Sequence, residues 1–119
     1  MLNYTYGTNG IKVPSGKDYL VNIWPCIGNN PSTDTKYQEY KNKVKEDINR
    51  VRDKVDLLIV AMHWGVEYTH TPTSYQIDMA NFLEKQGVDI IIGTHPHVVM
   101  PITYINDTLV IYSLGNFLS

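Results

Sequence analysis

The sequence predicts an α/β protein whose parallel, buried strands are joined by helices and whose last two strands form a hairpin. Two observations carry this prediction. In two segments apolar residues recur every three or four positions, which is typical of an amphipathic helix. Each segment is followed by a short aliphatic run, which is typical of a strand buried on both faces. Strands that a helix joins in this order should be parallel, with a right-handed crossover.

Length and composition restrict the class of protein. The chain has 119 residues, of which 43% are hydrophobic and 18% charged, as in one globular domain. A net charge of −2 gives no support to nucleic-acid binding, which requires clustered cations. The single cysteine, Cys26, excludes an internal disulfide and a cysteine zinc site. No apolar run approaches the ~18 residues that span a bilayer, so we expect the chain as given to be soluble.

The first thirty residues carry little periodic pattern. Residues 2–16 are rich in turn formers, which predicts a loop with at most a short strand where Tyr4 and Tyr6 alternate. We expect a strand at residues 18–24, ended by Pro25, and a turn at residues 28–31.

The first helix is predicted to begin near residue 32, where Ser32, Thr33 or Asp34 supplies the cap. It runs for roughly five turns, because one apolar stripe joins Tyr37, Tyr40, Val44, Ile48 and Val51. A buried strand at residues 56–62 follows and ends at His63.

The second helix is predicted at residues 74–86 and stops at Gly87. Its apolar stripe consists of Ile77, Ala80, Phe82 and Leu83. A strand at residues 88–92 follows at once, and the extended runs 98–105 and 109–112 flank a turn at residues 106–107 as a hairpin.

Three histidines follow the two buried strands and are predicted to meet at one edge of the sheet. His63 ends the first strand, and His95 and His97 come just after the second. Neutral imidazoles are common ligands of zinc and also suit iron and manganese. For any one histidine alone, a solvated side chain bonded to a carbonyl is the alternative. Pro96 favours an extended backbone, which would point the imidazoles of His95 and His97 to opposite sides, toward two metals or toward one metal and a second role.

Other polar residues lie near this edge. Glu67 can serve as a general base or hydrogen-bond a histidine, although a plain exposed glutamate fits the sequence equally well. Tyr68 reaches the same edge. Asn116 can anchor a loop or donate its amide to a phosphate or carbonyl. We interpret His70 mainly as a surface residue, and the surroundings of Ser113 do not match a nucleophile elbow.

Three motifs carry a resemblance to a known family. Residues 63–68 (HWGVEY), 93–98 (GTHPHV) and 112–117 (YSLGNF) resemble, in order and spacing, the bacterial capsule-synthesis CapA family of poly-γ-glutamate biosynthesis proteins, and residues 3–10 fit it too. That family is related to calcineurin-like metallophosphoesterases. The resemblance implies an α/β sandwich of two sheets with a dinuclear metal centre at their edge.

The resemblance also implies roles for individual residues. His63, His95 and His97 would bind divalent metal ions (Mn, Fe or Zn), His63 and His95 sharing one ion and His97 serving the other. Glu67, which orients water or a ligand, and His97 would be catalytic. Tyr68 and Asn116 would contact substrate.

The same pattern implies that residues 1–119 are the C-terminal part of one CapA-like domain. The related enzymes take a bridging Asp and an Asn-His segment from an N-terminal half that is absent here, so the metal site would be incomplete and the fragment inactive. Half a sandwich would also expose sheet surface, which predicts self-association.

Two functions are compatible with these residues. The intact protein would be a metal-dependent hydrolase of capsule synthesis at the bacterial cell envelope, associated with the membrane through its missing half and acting on an anionic polymer or a small molecule. The alternative is a non-catalytic module that binds carboxylates of an anionic polymer or peptide through protonated histidines. That module would bind more strongly below about pH 6.5 and would ignore chelators.

Overall fold

A five-stranded sheet lies against two α-helices in the computed structural model, which describes residues 1–24 and 30–116. In chain order the elements are β1 (Leu2–Thr5), a 3₁₀ turn (Asp18–Leu20), α1 (Thr35–Val51), a 3₁₀ turn (Arg52–Lys54), β2 (Ile59–His63), α2 (Ser74–Lys85), β3 (Ile90–Thr94), β4 (Ile102–Ile105) and β5 (Thr108–Ile111). The order across the sheet is β1-β2-β3-β5-β4, and all neighbours are parallel except β4 and β5. The predicted α/β class, the parallel β2-β3 pair and the C-terminal hairpin are confirmed.

The first helix begins where one of the three predicted caps lies. Asp34 Oδ1 accepts a hydrogen bond from the backbone N–H of Tyr37 at 3.1 Å, which satisfies one of the free donors of the first turn. The other carboxylate oxygen accepts from the Tyr75 hydroxyl at 2.8 Å, which ties this end to α2. The predicted stripe is confirmed, since Tyr37, Val44 and Ile48 are buried and Tyr40 and Val51 are partly buried against the core.

The second helix begins at the predicted residue and ends one residue earlier than predicted, at Lys85, and its buried face differs from the predicted one. A capping box joins Thr73 and Gln76, since each side chain accepts from the other's backbone N–H. Ala80 and Leu83 are buried as predicted, whereas Ile77 is 46% exposed and the assignment of that residue to the core was wrong. The buried face differs from the predicted stripe because the Gln76 side chain, which completes the capping box, points inward. The buried residues are Tyr75, Gln76, Met79, Ala80 and Leu83.

Both helices cover the same face of the sheet. The crossovers β1-α1-β2 and β2-α2-β3 move in the same direction, so right-handed connections place both helices on one side. The helices also contact each other there, with the Tyr37 and Tyr75 rings 5.0 Å apart. On this side the sheet contributes Tyr4, Val60, Met62, Ile91 and Val110 to the core.

The opposite face carries aliphatic side chains that neither helix covers. The strand register aligns them in two rows, Ile59-Ile90-Leu109 and Ala61-Ile92-Ile111, all of them half-buried. The expectation that β2 and β3 are buried on both faces is therefore wrong for one face. Its cause is the one-sided placement of the helices.

The strand predicted at residues 18–24 is also wrong. A 3₁₀ turn occupies Asp18–Leu20, and of this segment only Ile23 makes a bridge, parallel to Thr5. β1 is the edge strand and only four residues long, so it offers the segment little ladder to pair with. The short strand expected around Tyr4 is confirmed as β1, whereas Pro25, Cys26 and the first half of the turn predicted at 28–31 lie outside the described residues.

Candidate metal centre

The site lies where three parallel strands end together. The register pairs Thr5 with His63 and His63 with Thr94, so these residues form one row at the carboxyl edge of the sheet. His63 alternates with the buried Met62, which puts its imidazole on the face that the helices leave free. The loops after β2 and β3 start from this row, as expected for a binding site in a parallel sheet.

A buried tryptophan supports the row from the helix side. The indole of Trp64 donates to the carbonyl of Tyr112 at 3.0 Å, and the backbone N–H of Trp64 donates to the carbonyl of Thr94 at 3.1 Å. Gly93 leaves room for this contact, because an added Cβ would lie 2.0 Å from the Tyr112 oxygen and 2.3 Å from the indole nitrogen. The glycine is thus required by packing at the base of the site.

The His95-Pro96-His97 loop is not extended. His95 has φ 101° and His97 has φ 63°, a region that non-glycine residues seldom adopt and that is often retained at functional sites. The prediction that the two imidazoles point to opposite sides is wrong for this reason, and their ring centroids lie 6.1 Å apart. The carbonyl of Pro96 accepts from the backbone N–H of Tyr68 at 2.8 Å, which joins this loop to the one after β2.

Glu67, His95 and His97 form a group that can hold a metal ion. One ligand atom from each lies within 4.8 Å of the others, and His97 Nε2 is 4.0 Å from Glu67 Oε1. Ligand atoms about 2.0–2.1 Å from a tetrahedral ion lie roughly 3.4 Å apart, so these atoms would close by no more than about 1.4 Å. Two imidazoles and a carboxylate suit zinc, iron or manganese, and the residues therefore fit such an ion.

His63 lies next to this group. Its ring centroid is 4.6 Å from that of His95, and the ring of Tyr6 packs against both imidazoles, 5.4 Å from His63 and 4.7 Å from His95. A cleft of about 360 Å³ is lined by all three predicted histidines and by Asn9, Glu67, Thr94, Gly115 and Asn116. The predicted meeting of the histidines at one sheet edge is confirmed. The division of His63, His95 and His97 between two ions stays a prediction.

The two residues predicted to contact substrate lie beside His97. Asn116 Oδ1 is 2.9 Å from His97 Nδ1, so the amide holds the imidazole as well as lining the cleft. Tyr68 is 71% exposed and stacks on the same imidazole at 5.8 Å. Both are in position for the predicted contact, which stays a prediction.

The environment of the site lowers the pKa of two of the histidines. Burial lowers the pKa of His63, and the neighbouring imidazoles of His95 and His97 lower it further. Burial also lowers the pKa of His95, with Glu67 acting in the opposite direction and His97 in the same one. Because a metal binds the neutral imidazole, these shifts favour binding below the ordinary value of 6.5.

Of the site residues that were not predicted from the sequence, two contact the histidine rings. Thr5 hydrogen-bonds His63, and Tyr6 packs against both His63 and His95. The alternation of Tyr4 and Tyr6 indicates a strand, and parallel strands end at the same edge of a sheet. Together these two observations could have placed Thr5 and Tyr6 at the site. The two residues set aside are as expected, since His70 is exposed with Nδ1 bonded to the Val99 carbonyl, and Ser113 is buried and accepts from the Gly115 N–H.

The whole chain matches one family model, that of the bacterial capsule synthesis protein PGA_cap, over residues 1–119. The chain belongs to this family. Among PGA_cap relatives, the PGA biosynthesis protein CapA of Bacillus subtilis is 43% identical over 70 residues, or 59% of this chain. The capsule biosynthesis protein CapA of Bacillus anthracis is 37% identical over 76 residues, or 60% of this chain.

The matched residues make up only 18% of the length of either CapA protein. The chain is thus related to capsule biosynthesis proteins, but the matched region covers only a small part of the length of those proteins. In residues 1–24 and 30–116 no helix has the length and apolar character needed to cross a membrane.

Proposed function

We propose that this chain contributes part of a divalent metal centre to a protein of poly-γ-glutamate capsule synthesis. The observation that carries the proposal is the group of Glu67, His95 and His97, whose ligand atoms lie within 4.8 Å of one another. The ion would be manganese, iron or zinc. His63 contacts His95 and supplies a further imidazole to the same cleft.

Three features of the chain support metal binding at this edge. The pKa values of His63 and His95 are lowered, chiefly by burial, so neutral imidazole is available at neutral pH. Asn116 orients the ring of His97, as outer hydrogen bonds do for metal-binding histidines. The loop bearing His95 and His97 keeps two residues at positive φ, which costs free energy and is typical of functional sites.

We infer further that the intact protein is a metal-dependent hydrolase. A bound ion would polarise a carbonyl or phosphoryl oxygen and lower the pKa of a bound water. Glu67 is exposed and adjacent to His97, and its second carboxylate oxygen, which the ion would leave free, can orient that water or accept its proton. Tyr68 and Asn116 would contact an anionic polymer or a small-molecule substrate at the mouth of the cleft. The remaining metal ligands would come from other parts of a longer, envelope-associated protein.

The alternative is a non-catalytic module that binds carboxylates through protonated histidines. Glu67 supports it in part, because this carboxylate favours the charged form of His95. The larger effect, burial, opposes it at both His63 and His95. Ligand binding by the module would strengthen below about pH 6.5 and persist in a chelator.

Calorimetric titration of the purified chain with Zn²⁺ and with Mn²⁺ tests the metal centre. We expect weak binding by the wild-type chain and none by the His95→Ala/His97→Ala variant. The matched control is His70→Ala, which removes an exposed imidazole outside the group and should leave binding unchanged. Equal affinity of the wild-type chain and the double variant would overturn the proposal.

A further inference from the structure

The hydroxyl of Thr5 is the hydrogen-bond partner of His63. Thr5 Oγ1 lies 2.9 Å from His63 Nδ1, although the two residues are 58 positions apart in sequence. The parallel register of β1 and β2 brings them side by side, on the face of the sheet that carries the metal-binding group. The contact therefore follows from strand pairing and not from a chance approach of two loops.

The hydrogen bonds of this hydroxyl determine which nitrogen of His63 carries the hydrogen. A threonine hydroxyl has one proton to donate and two lone pairs to accept with. Thr5 Oγ1 donates that proton to the carbonyl of Gly7 at 2.7 Å and accepts from the Gly7 N–H at 3.3 Å. Toward His63 it can then only accept. The imidazole must carry its hydrogen on Nδ1, which leaves Nε2 unprotonated in the neutral ring.

The position of Thr5 is fixed by its backbone. Its N–H donates to the carbonyl of Asn22 at 2.9 Å, and its own carbonyl accepts from the N–H of Trp24 at 2.8 Å. Trp24 is buried in the core, so the hydroxyl is held in place from both sides of the residue. A donor or acceptor fixed in this way can orient an imidazole without rearranging itself.

His97 shows the same arrangement with a different partner. Its Nδ1 lies 2.9 Å from Asn116 Oδ1, and an amide oxygen can only accept. Nδ1 of His97 therefore also carries the hydrogen. The remaining nitrogen, Nε2, is the atom that lies 4.0 Å from Glu67 Oε1. Two separate acceptors thus select the same tautomer at two imidazoles of one cleft.

We propose that Thr5 is a positioning residue that holds His63 in its Nδ1–H tautomer, so that Nε2 is the nitrogen with which His63 can bind a metal ion in the cleft it shares with Glu67, His95 and His97. The role as a metal-site positioning residue rests on the proposed function, whereas the tautomer itself does not. This assignment extends the site to β1.

The tautomer can be measured in the metal-free chain. Long-range ¹H–¹⁵N correlation spectra of ¹⁵N-histidine-labelled protein, recorded above neutral pH with chelator, distinguish a protonated Nδ1 from a protonated Nε2. We expect His63 to be protonated on Nδ1 in the wild-type chain and in Thr5→Ser, and to lose this preference in Thr5→Val. The His97 signals should be the same in all three proteins, because Asn116 is untouched.

Two results would overturn the assignment. One is a wild-type His63 protonated on Nε2, which would mean that Thr5 donates to the ring and not to Gly7. The other is a Thr5→Val spectrum identical to the wild type. Circular dichroism checks that Thr5→Val folds, and if it does not, the wild-type tautomer alone decides the first question.

Zinc affinity is the second measurement. Outer-shell hydrogen bonds of this kind change metal affinity by about 10- to 100-fold. We expect Thr5→Val to bind Zn²⁺ at least about tenfold more weakly and Thr5→Ser to restore most of the affinity. Unchanged affinity in Thr5→Val would refute the positioning role. If the wild-type chain shows the expected tautomer but binds no metal, the proposed function fails while the tautomer stands.

Discussion

The indole nitrogen of Trp64 donates a hydrogen bond to the carbonyl oxygen of Tyr112, 3.0 Å away, across the backbone of Gly93. This contact joins the ends of β2, β3 and β5 directly beneath the histidines. It gives the glycine before the His95-Pro96-His97 loop a physical reason, because no side chain fits between the indole and the carbonyl.

Replacing Gly93 with alanine should therefore destabilise the fold. The added Cβ would overlap the Tyr112 oxygen and the indole nitrogen, so that the buried hydrogen bond must break or the strands must separate. We expect a loss of about 3 kcal/mol in the free energy of unfolding, measured by urea denaturation. Gly7→Ala is the control, since nothing lies within 4 Å of a Cβ added there. Equal stability of the two variants would show that the approach at Gly93 is not tight.

The positive φ of His95 should appear as a difference between two substitutions that both remove the imidazole. His95→Gly relieves the strain of φ 101°, whereas His95→Ala keeps it. We expect the glycine variant to be more stable by about 1 kcal/mol in denaturant titrations. At Thr94, a strand residue, the order should reverse, with alanine the more stable. The same order at both positions would contradict the strained loop.

The lowered pKa values predict how stability changes with pH. Between the ordinary value of 6.5 and the lower values of folded His63 and His95, the unfolded chain binds more protons than the folded one. The free energy of unfolding should thus be highest above about pH 6.5 and fall as the pH is lowered through that window.

Denaturation in the presence of chelator, repeated at several pH values, measures this dependence. His63→Gln should flatten the curve, because it removes an imidazole whose pKa is lowered in the folded chain. A wild-type chain whose stability rises as the pH drops below 6.5 would indicate protonated, paired histidines and would favour the carboxylate-binding alternative.

The uncovered aliphatic face predicts self-association of the chain. Ile92 lies at its centre, between Ala61 and Ile111 in one row of the sheet. Apolar patches of this kind are usually buried against a partner, and a second copy is the partner present in a pure sample. We expect Ile92→Lys to weaken association by at least about tenfold in sedimentation velocity experiments.

The control for that experiment is Asn49→Lys, an exposed position of α1 that lies away from the face. It should sediment as the wild type does. A wild-type chain that remains monomeric at high concentration would contradict the prediction.

Much of the fold could be predicted because periodicity reports burial. The stripe from Tyr37 to Ile48 predicts α1 and its buried side, and the aliphatic runs before His63 and His95 predict β2 and β3 without showing which face the helices leave uncovered. The meeting of the three histidines followed from one rule, that parallel strands end at the same edge. That rule needs no knowledge of side-chain contacts.

The features that could not be predicted depend on contacts between distant segments or on backbone geometry. The pairing of Thr5 with His63 requires the register of two strands 58 residues apart. The orientation of His95 and His97 depends on positive φ values, which a His-Pro-His sequence does not reveal. The rotation of α2 is set by Gln76, a polar residue that hydrophobic periodicity assigns to the surface.

The central claim is that Glu67, His95 and His97 hold a divalent ion, and paramagnetic Mn²⁺ tests it most directly. Substoichiometric Mn²⁺ added to ¹⁵N-histidine-labelled chain broadens imidazole signals according to their distance from the ion. We predict that the signals of His95, His97 and His63 broaden at the lowest Mn²⁺ additions and that those of His70, which lies outside the group, broaden last. Broadening of all four histidines together, or of none, would contradict it.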